Sequence, residues 1–256
     1  MTSEIIILCI AAFAAGFIDA IVGGGGLVQT PVALVTLPQY HLATVLGTTK
    51  IPSFFGAAIA AVQYSLKVKI NWRLLFAMCT IALFAAYAGS KTVAIVSNAL
   101  MKPVLFVVLI LVAIYTYTKK DFGQSVKKTS GKKKEIIYCL LFALTIGFYD
   151  GFIGPGAGSF MVLFFISIMG FDFLRASAHS KLLNVSTNIG SILYFGGSGN
   201  ILYHYALPMA VFNFAGSLLG ARLAILKGNK FIRIFFLFVI IGTIIRFGYD
   251  IFFKRN

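Results

Sequence analysis

Eight strongly apolar blocks dominate this chain, at about residues 4–38, 43–65, 72–94, 99–118, 136–170, 173–197, 204–226 and 231–253. Each is long enough to cross a hydrocarbon core about 30 Å thick. Of the 256 residues, 59% are hydrophobic and only 11% are charged, less than half the charged fraction of a soluble domain. Soluble enzymes, nucleic-acid binders and secreted disulfide scaffolds are excluded. The expected fold class is all-α, a polytopic integral membrane protein.

The formal net charge of +15 is placed as a membrane topology signal places it. Lys119, Lys120, Lys127, Lys128, Lys132, Lys133 and Lys134 fall in one loop, a pattern that fits a cytoplasmic segment facing an anionic leaflet. Cys9, Cys79 and Cys139 each sit inside an apolar block with no metal-ligand or redox spacing, so they are expected to be small buried hydrophobes. Glu4 precedes Ile5–Ile7 without a basic leader region, and block one is expected to be a retained helix.

Blocks one and five are too long for a single span, and each is broken midway by glycines. The first break is Gly23-Gly24-Gly25-Gly26 and the second is Gly154-Pro155-Gly156-Ala157-Gly158. Glycine costs a helix about 1 kcal/mol per position and proline about 3 kcal/mol. Unwound backbone at membrane depth is tolerated only inside protein or beside a cavity.

An offset of 131 residues superposes Gly16, Phe17, Asp19, Gly23 and Gly25 on Gly147, Phe148, Asp150, Gly154 and Gly156. The same offset places Lys50 on Lys181, Gly89 on Gly220 and Lys91 on Arg222. The chain is therefore expected to be a duplication: a first transmembrane repeat at 1–118, a Lys-rich cytoplasmic linker at 119–134 and a second repeat at 135–256. The loop after block two carries Lys67, Lys69 and Arg73, whereas its counterpart Gly197–His204 carries no Lys or Arg. Opposite charge bias in equivalent loops suggests opposite sides of the membrane. That is met by two inverted repeats, each a Gly-broken helical hairpin plus three transmembrane helices. A parallel repeat with single crossings is the alternative.

The runs Gly16-Phe-Ile-Asp-Ala-Ile-Val-Gly-Gly-Gly-Gly…Pro31 and Gly47-Thr48-Thr49-Lys50, with their echoes in the second half, resemble the TauE/SafE family of sulfite and organosulfonate exporters. The resemblance covers nearly the whole chain. It implies transport of a sulfur-containing anion across the bacterial inner membrane. The second half departs from the pattern, since Gly-Thr-Thr-Lys becomes Ala178-His179-Ser180-Lys181.

The residues support an anion site on their own terms. A helix restarting after a break presents unpaired N–H groups and partial positive charge, which suits an anion's oxygens. Gly24, Gly25 and Gly26 occupy one such position, and Gly156, Ala157, Gly158 and Ser159 the other; tight helix packing is the alternative. Lys50 and Lys181 lie inside apolar blocks, where a lysine needs a partner. That partner is either the substrate or one of Asp19 and Asp150, which themselves are expected to relay protons or to cap a broken helix. Thr48, Thr49, Ser180, Asn184 and Asn188 offer hydroxyl and amide donors, the last three on one helix face. His179 is either a titrating site residue or a satisfied buried one. His41 and His204 are expected at membrane boundaries, Trp72 as an interface anchor, and Lys91 and Arg222 as snorkelling helix-end charges.

The expected function is a secondary transporter, in the exporting direction, moving a small anion such as sulfite or an organosulfonate by alternating access. An anion channel and a permease for a non-sulfur organic acid are the alternatives. No metal, no cofactor and no enzymatic activity are expected. Partners are the small anionic substrate and membrane lipids, with no nucleic acid, and a homodimer is the assembly to test.

Overall fold

The computed structural model describes residues 2–95 and 132–252, which form eight α-helices. Block one divides into α1 (Thr2–Val22) and α2 (Gly26–Thr36), and block five into α5 (Lys132–Phe152) and α6 (Ala157–Ser167). Blocks two, three and six become α3 (Leu42–Ser65), α4 (Trp72–Ile95) and α7 (Phe173–Gly197). Blocks seven and eight run together as α8 (Tyr203–Phe252), interrupted at Gly228 by a non-helical φ of 71°. The block at 99–118 and residues 119–131 of the Lys-rich linker lie outside the described residues. Lys132–Lys134, assigned to that linker from sequence, open α5 instead.

Five stretches are long and apolar enough to cross a membrane: Ser3–Val22, Leu42–Ser65, Trp72–Val93, Lys134–Phe152 and Tyr203–Ile232. The chain is thus an integral membrane protein, and no strand occurs among the described residues. α7 falls short of that apolarity because it carries Ser177, His179, Ser180, Lys181, Asn184 and Asn188, all buried inside the bundle. Its polar side chains face protein. Ile10, Phe76, Phe84 and Val211 are exposed instead, as a lipid-facing wall requires.

The glycine breaks fold the chain back on itself. Gly23 has φ 80° and Gly154 has φ 90°, a conformation that costs other L-residues about 1–2 kcal/mol. After the turn, Ala33 of α2 and Leu37 just past its end share a packed cluster with Leu8 and Ala12 of α1. The second hairpin closes in the same way. The rings of Phe142 and Phe164 stack at 3.9 Å, and Cys139 Sγ lies 3.4 Å from Met169 Sδ. An 11-residue return leg spans about 16 Å, half of a ~30 Å core. Both turns therefore sit deep in the bundle, and there they touch: Ser159 Oγ donates to the Val22 carbonyl at 3.2 Å.

The halves of the chain interleave. α1 packs on α8 and α5 packs on α4, while α3 and α7 lie against each other at the centre. Matched glycines make matched contacts. A Cβ on Gly89 would strike the Phe148 carbonyl, and one on Gly220 would strike the Phe17 carbonyl, so both pairs of helices approach with backbone against backbone.

The bundle has two chemically different ends. At one, the Asn71 N–H donates to His179 Nε2 at 3.5 Å and the Leu174 N–H to Asn229 Oδ1 at 2.9 Å. Lys67, Lys69, Arg73, Arg175, Lys227 and Lys230 cluster along these same segments. At the other, the Tyr205 hydroxyl donates to Glu4 Oε2 at 2.6 Å and Thr44 Oγ1 to Asn200 Oδ1 at 3.0 Å. α3 starts at this second end and finishes at the basic one, whereas α7 runs the opposite way.

Candidate functional site

The site is assembled from both hairpin turns and the two central helices. Lys50, two residues before Pro52 in α3, donates to the Asp150 backbone carbonyl at 2.5 Å and to its Oδ1 at 3.1 Å. Lys181 of α7 donates to Asp19 Oδ2 at 2.6 Å. The partners are thus crossed, with each lysine reaching the aspartate in the other half of the chain. The pairs are buried unequally, at 8% and 5% side-chain exposure for Lys50 and Asp150 but 0% and 21% for Lys181 and Asp19. A buried lysine without such a partner is costly. Both lysines therefore have an aspartate as partner, one of the two arrangements left open by the sequence.

Asp19 has a second task. Its Oδ1 accepts the Gly25 N–H at 3.2 Å, capping the unwound turn before α2. Asp150 differs: its Oδ2 is buried and has no hydrogen-bond partner, although the group sits beside the second turn. The Tyr149 hydroxyl supports that turn from behind, donating to the Pro155 carbonyl at 2.6 Å.

Between the turns lies a cavity of about 40 Å³. Of the residues proposed from sequence, Asp19, Gly25, Gly26, Thr49, Lys50, Asp150, Gly156, Gly158, Asn184 and Asn188 line it. The N-terminal ends of α2 and α6 both face it, since Gly26 opens α2 and Gly156 precedes α6. Asn188 Nδ2 donates to Asn184 Oδ1 at 3.1 Å, holding two of the lining amides together.

The remaining candidates lie elsewhere. Thr48 Oγ1 accepts the Leu202 N–H at 3.0 Å and thereby ties α3 to the start of α8. Ser180 Oγ donates to the Gly158 carbonyl at 3.1 Å, and Ser159 bonds to the first hairpin rather than facing the cavity. His179 is satisfied within the protein: Nδ1 meets the Arg175 carbonyl at 2.8 Å, and the ring packs on Phe165 and Phe171. Gly24, Ala157 and Lys181 likewise do not line the cavity, although Lys181 reaches it through Asp19.

Two lining amides escaped the sequence reading. Gln29 Nε2 donates to the Thr49 carbonyl at 3.0 Å, and Asn213 Nδ2 donates to Gln29 Oε1 at 2.9 Å. Their counterparts at the 131-residue offset are Phe160 and Ala82, so the duplication hides them. An amide in the middle of an apolar block was the available signal.

A family model described as sulfite exporter TauE/SafE matches residues 8–247. "Probable membrane transporter protein ORF9" of Sinorhizobium sp is 35% identical over 240 residues, covering 93% of this chain and 90% of the relative. "Probable membrane transporter protein YfcA" of Escherichia coli strain K12 is 34% identical over 235 residues, covering 89% and 83%. A "Probable membrane transporter protein" of Haemophilus influenzae is 32% identical over 229 residues, covering 89% and 88%. No solved structure matches the chain significantly.

Proposed function

From the premise that the chain belongs to the sulfite exporter TauE/SafE family of membrane transporters, we propose that it carries a compact oxyanion of the sulfite class across the bacterial cytoplasmic membrane by alternating access. The observation that carries this reading is the small cavity in which two helix N-termini and Lys50 meet. The Lys50–Asp150 pair at the cavity cancels, as does Asp19 with Lys181 behind it, so the net attraction for an anion comes from the partial positive charge at the starts of α2 and α6. The side-chain amides of Asn184 and Asn213 at the cavity wall add N–H donors for further oxygens.

Size narrows the substrate. One water needs at least about 10–15 Å³ of such space, so about 40 Å³ holds three waters or one compact oxyanion. Taurine and sulfoacetate are larger and need the turns to part.

An anion arriving here meets two carboxylates as well as Lys50. Lys50 turns from Asp150 Oδ1 toward a substrate oxygen, while its bond to the Asp150 carbonyl keeps it at the second turn.

The two halves act as inverted repeats. What supports this is the antiparallel run of α3 and α7 between the two ends of the bundle and the gathering of Lys and Arg at one of them. That end is cytoplasmic by its charge.

A thermal-shift panel of sulfite, thiosulfate, sulfoacetate, taurine and simple carboxylates tests the proposal. A ligand at 100 times its Kd stabilises by about 2.7 kcal/mol. Sulfite is expected to raise the melting temperature of the wild type and not of Lys50→Ala. A panel in which no anion shifts the wild type contradicts the proposal.

A further inference from the structure

The 131-residue offset pairs four positions of α3 with four of α7: Leu46 with Ser177, Thr49 with Ser180, Lys50 with Lys181 and Ser53 with Asn184. All four α3 members line the cavity, but of the α7 members only Asn184 does. Ser177, Ser180 and Lys181 are each 0% exposed. This is a graded asymmetry along matched helices, and it has a direction. The cavity extends along α3 to Leu46, near the weakly charged end, and stops on α7 short of the basic end.

The seal over the α7 positions is made of polar contacts from α7 to the second hairpin and from that hairpin to the first. Ser180 Oγ donates to the Gly158 carbonyl at 3.1 Å, and Ser159 Oγ to the Val22 carbonyl at 3.2 Å. The turn glycines differ in the same sense. Gly25 is right-handed at φ −58°, whereas its mate Gly156 is left-handed at φ 84°. Matched sequence positions thus hold two different conformations in one molecule, as the two halves of an inverted-repeat carrier do when the site faces one side.

Ser177 is the informative residue. It is fully buried, and its Oγ has no hydrogen-bond partner. A buried hydroxyl left unsatisfied costs about 1–3 kcal/mol, and a packed helix interface gains nothing from it. Its mate Leu46 faces the cavity.

We infer that Ser177, Ser180 and Lys181 form a second, closed lining of the substrate path, opened to the basic end when the two repeats exchange conformations. In that state Ser177 is wetted, Lys181 stands where Lys50 stands now, and Leu46 and Lys50 are sealed. The inference rests on the inverted-repeat transporter proposed above and adds to it the residues that meet the substrate on the other side.

Site-directed labelling tests it, in full-length protein whose Cys9, Cys79 and Cys139 are replaced by alanine or serine and which retains transport. Leu46→Cys and Ser177→Cys are introduced separately and exposed to a membrane-impermeant maleimide from each side in oriented vesicles. Ser177→Cys replaces a hydroxyl that has no partner, so it leaves the packing intact; Ser180→Cys repeats the test one turn further along. The expected result is labelling of Leu46→Cys from the weakly charged side and of Ser177→Cys or Ser180→Cys from the Lys-rich side. Conditions that raise one rate at least about threefold should lower the other. Labelling of both helices from one side, or protection of both serine positions while Leu46→Cys is labelled, overturns the inference and leaves the transporter reading standing. If Leu46→Cys is itself unreactive from both sides, the cavity is no substrate path, and both readings fall.

Discussion

Lys181 belongs to the second half of the chain, yet its ammonium lies 2.6 Å from Asp19 Oδ2 of the first half, with no side-chain exposure at the lysine. The matching pair, Lys50 with Asp150, is crossed in the same sense at 3.1 Å. Each ion pair therefore ties one central helix to the hairpin in the other half of the chain, beside an unwound turn.

The unequal burial of the pairs predicts unequal mutants. Lys181→Ala removes an ammonium that has no exposure of its own and lies outside the cavity lining, and breaking a buried pair costs about 3–5 kcal/mol. Lys50 borders the cavity, so Lys50→Ala admits water and is expected to be milder in thermal unfolding while losing substrate binding. Lys181→Met combined with Asp19→Asn removes both charges, and should recover most of the melting temperature of the wild type without recovering transport. Equal destabilisation by the two single alanine variants argues against this account.

The hairpin glycines answer to different physics. Gly156 has φ 84°, so Gly156→Ala strains the backbone by about 1–2 kcal/mol. Gly25 has an ordinary φ, but a Cβ there would come within 2.5 Å of the Ala15 carbonyl oxygen and of Asp19 Cβ. Both variants are expected to lower the melting temperature without ligand. Gly25→Ala should in addition disturb the Asp19–Lys181 pair and so impair transport more. An unchanged apo melting temperature for both variants contradicts the turn geometry.

Gln29 and Asn213 hold each other and the Thr49 carbonyl at the cavity wall. Asn213→Ala removes one such bond, worth about 0.5–1.5 kcal/mol. Sulfite affinity should fall about 2–10-fold in equilibrium binding, with a smaller effect on thermal stability. Unaltered affinity removes this amide pair from the site.

The cavity's small size predicts selectivity among anions. Sulfite should compete at least about 10-fold better than taurine or sulfoacetate, a difference of about 1.4 kcal/mol, when displacement of labelled sulfite is measured. Better competition by the longer sulfonates would contradict a compact site.

Some of this was legible in the chain and some was not, for physical reasons. The breaks at Gly23–Gly26 and Gly154–Gly158 were legible because glycine and proline act locally. Asp19, Lys50, Asp150 and Lys181 were legible because ionisable groups inside apolar blocks are rare and costly. The crossing of their partners was not, since an offset reveals which positions correspond but not which ones touch. His179 resembled a site residue because it adjoins Ser180 and Lys181, yet neighbouring helical positions point apart, and its ring turns to Phe165 and Phe171. Gln29 and Asn213 went unseen because one sits on each repeat with an apolar counterpart, so the duplication offered no echo of either.

The most direct test of the central claim is uptake of radiolabelled sulfite into proteoliposomes holding the purified protein, measured against concentration with and without unlabelled sulfite inside. A carrier with a single compact site predicts saturable uptake, accelerated by internal sulfite and abolished by Lys50→Ala. Flux that rises linearly without saturation, ignores internal sulfite and survives Lys50→Ala contradicts the account.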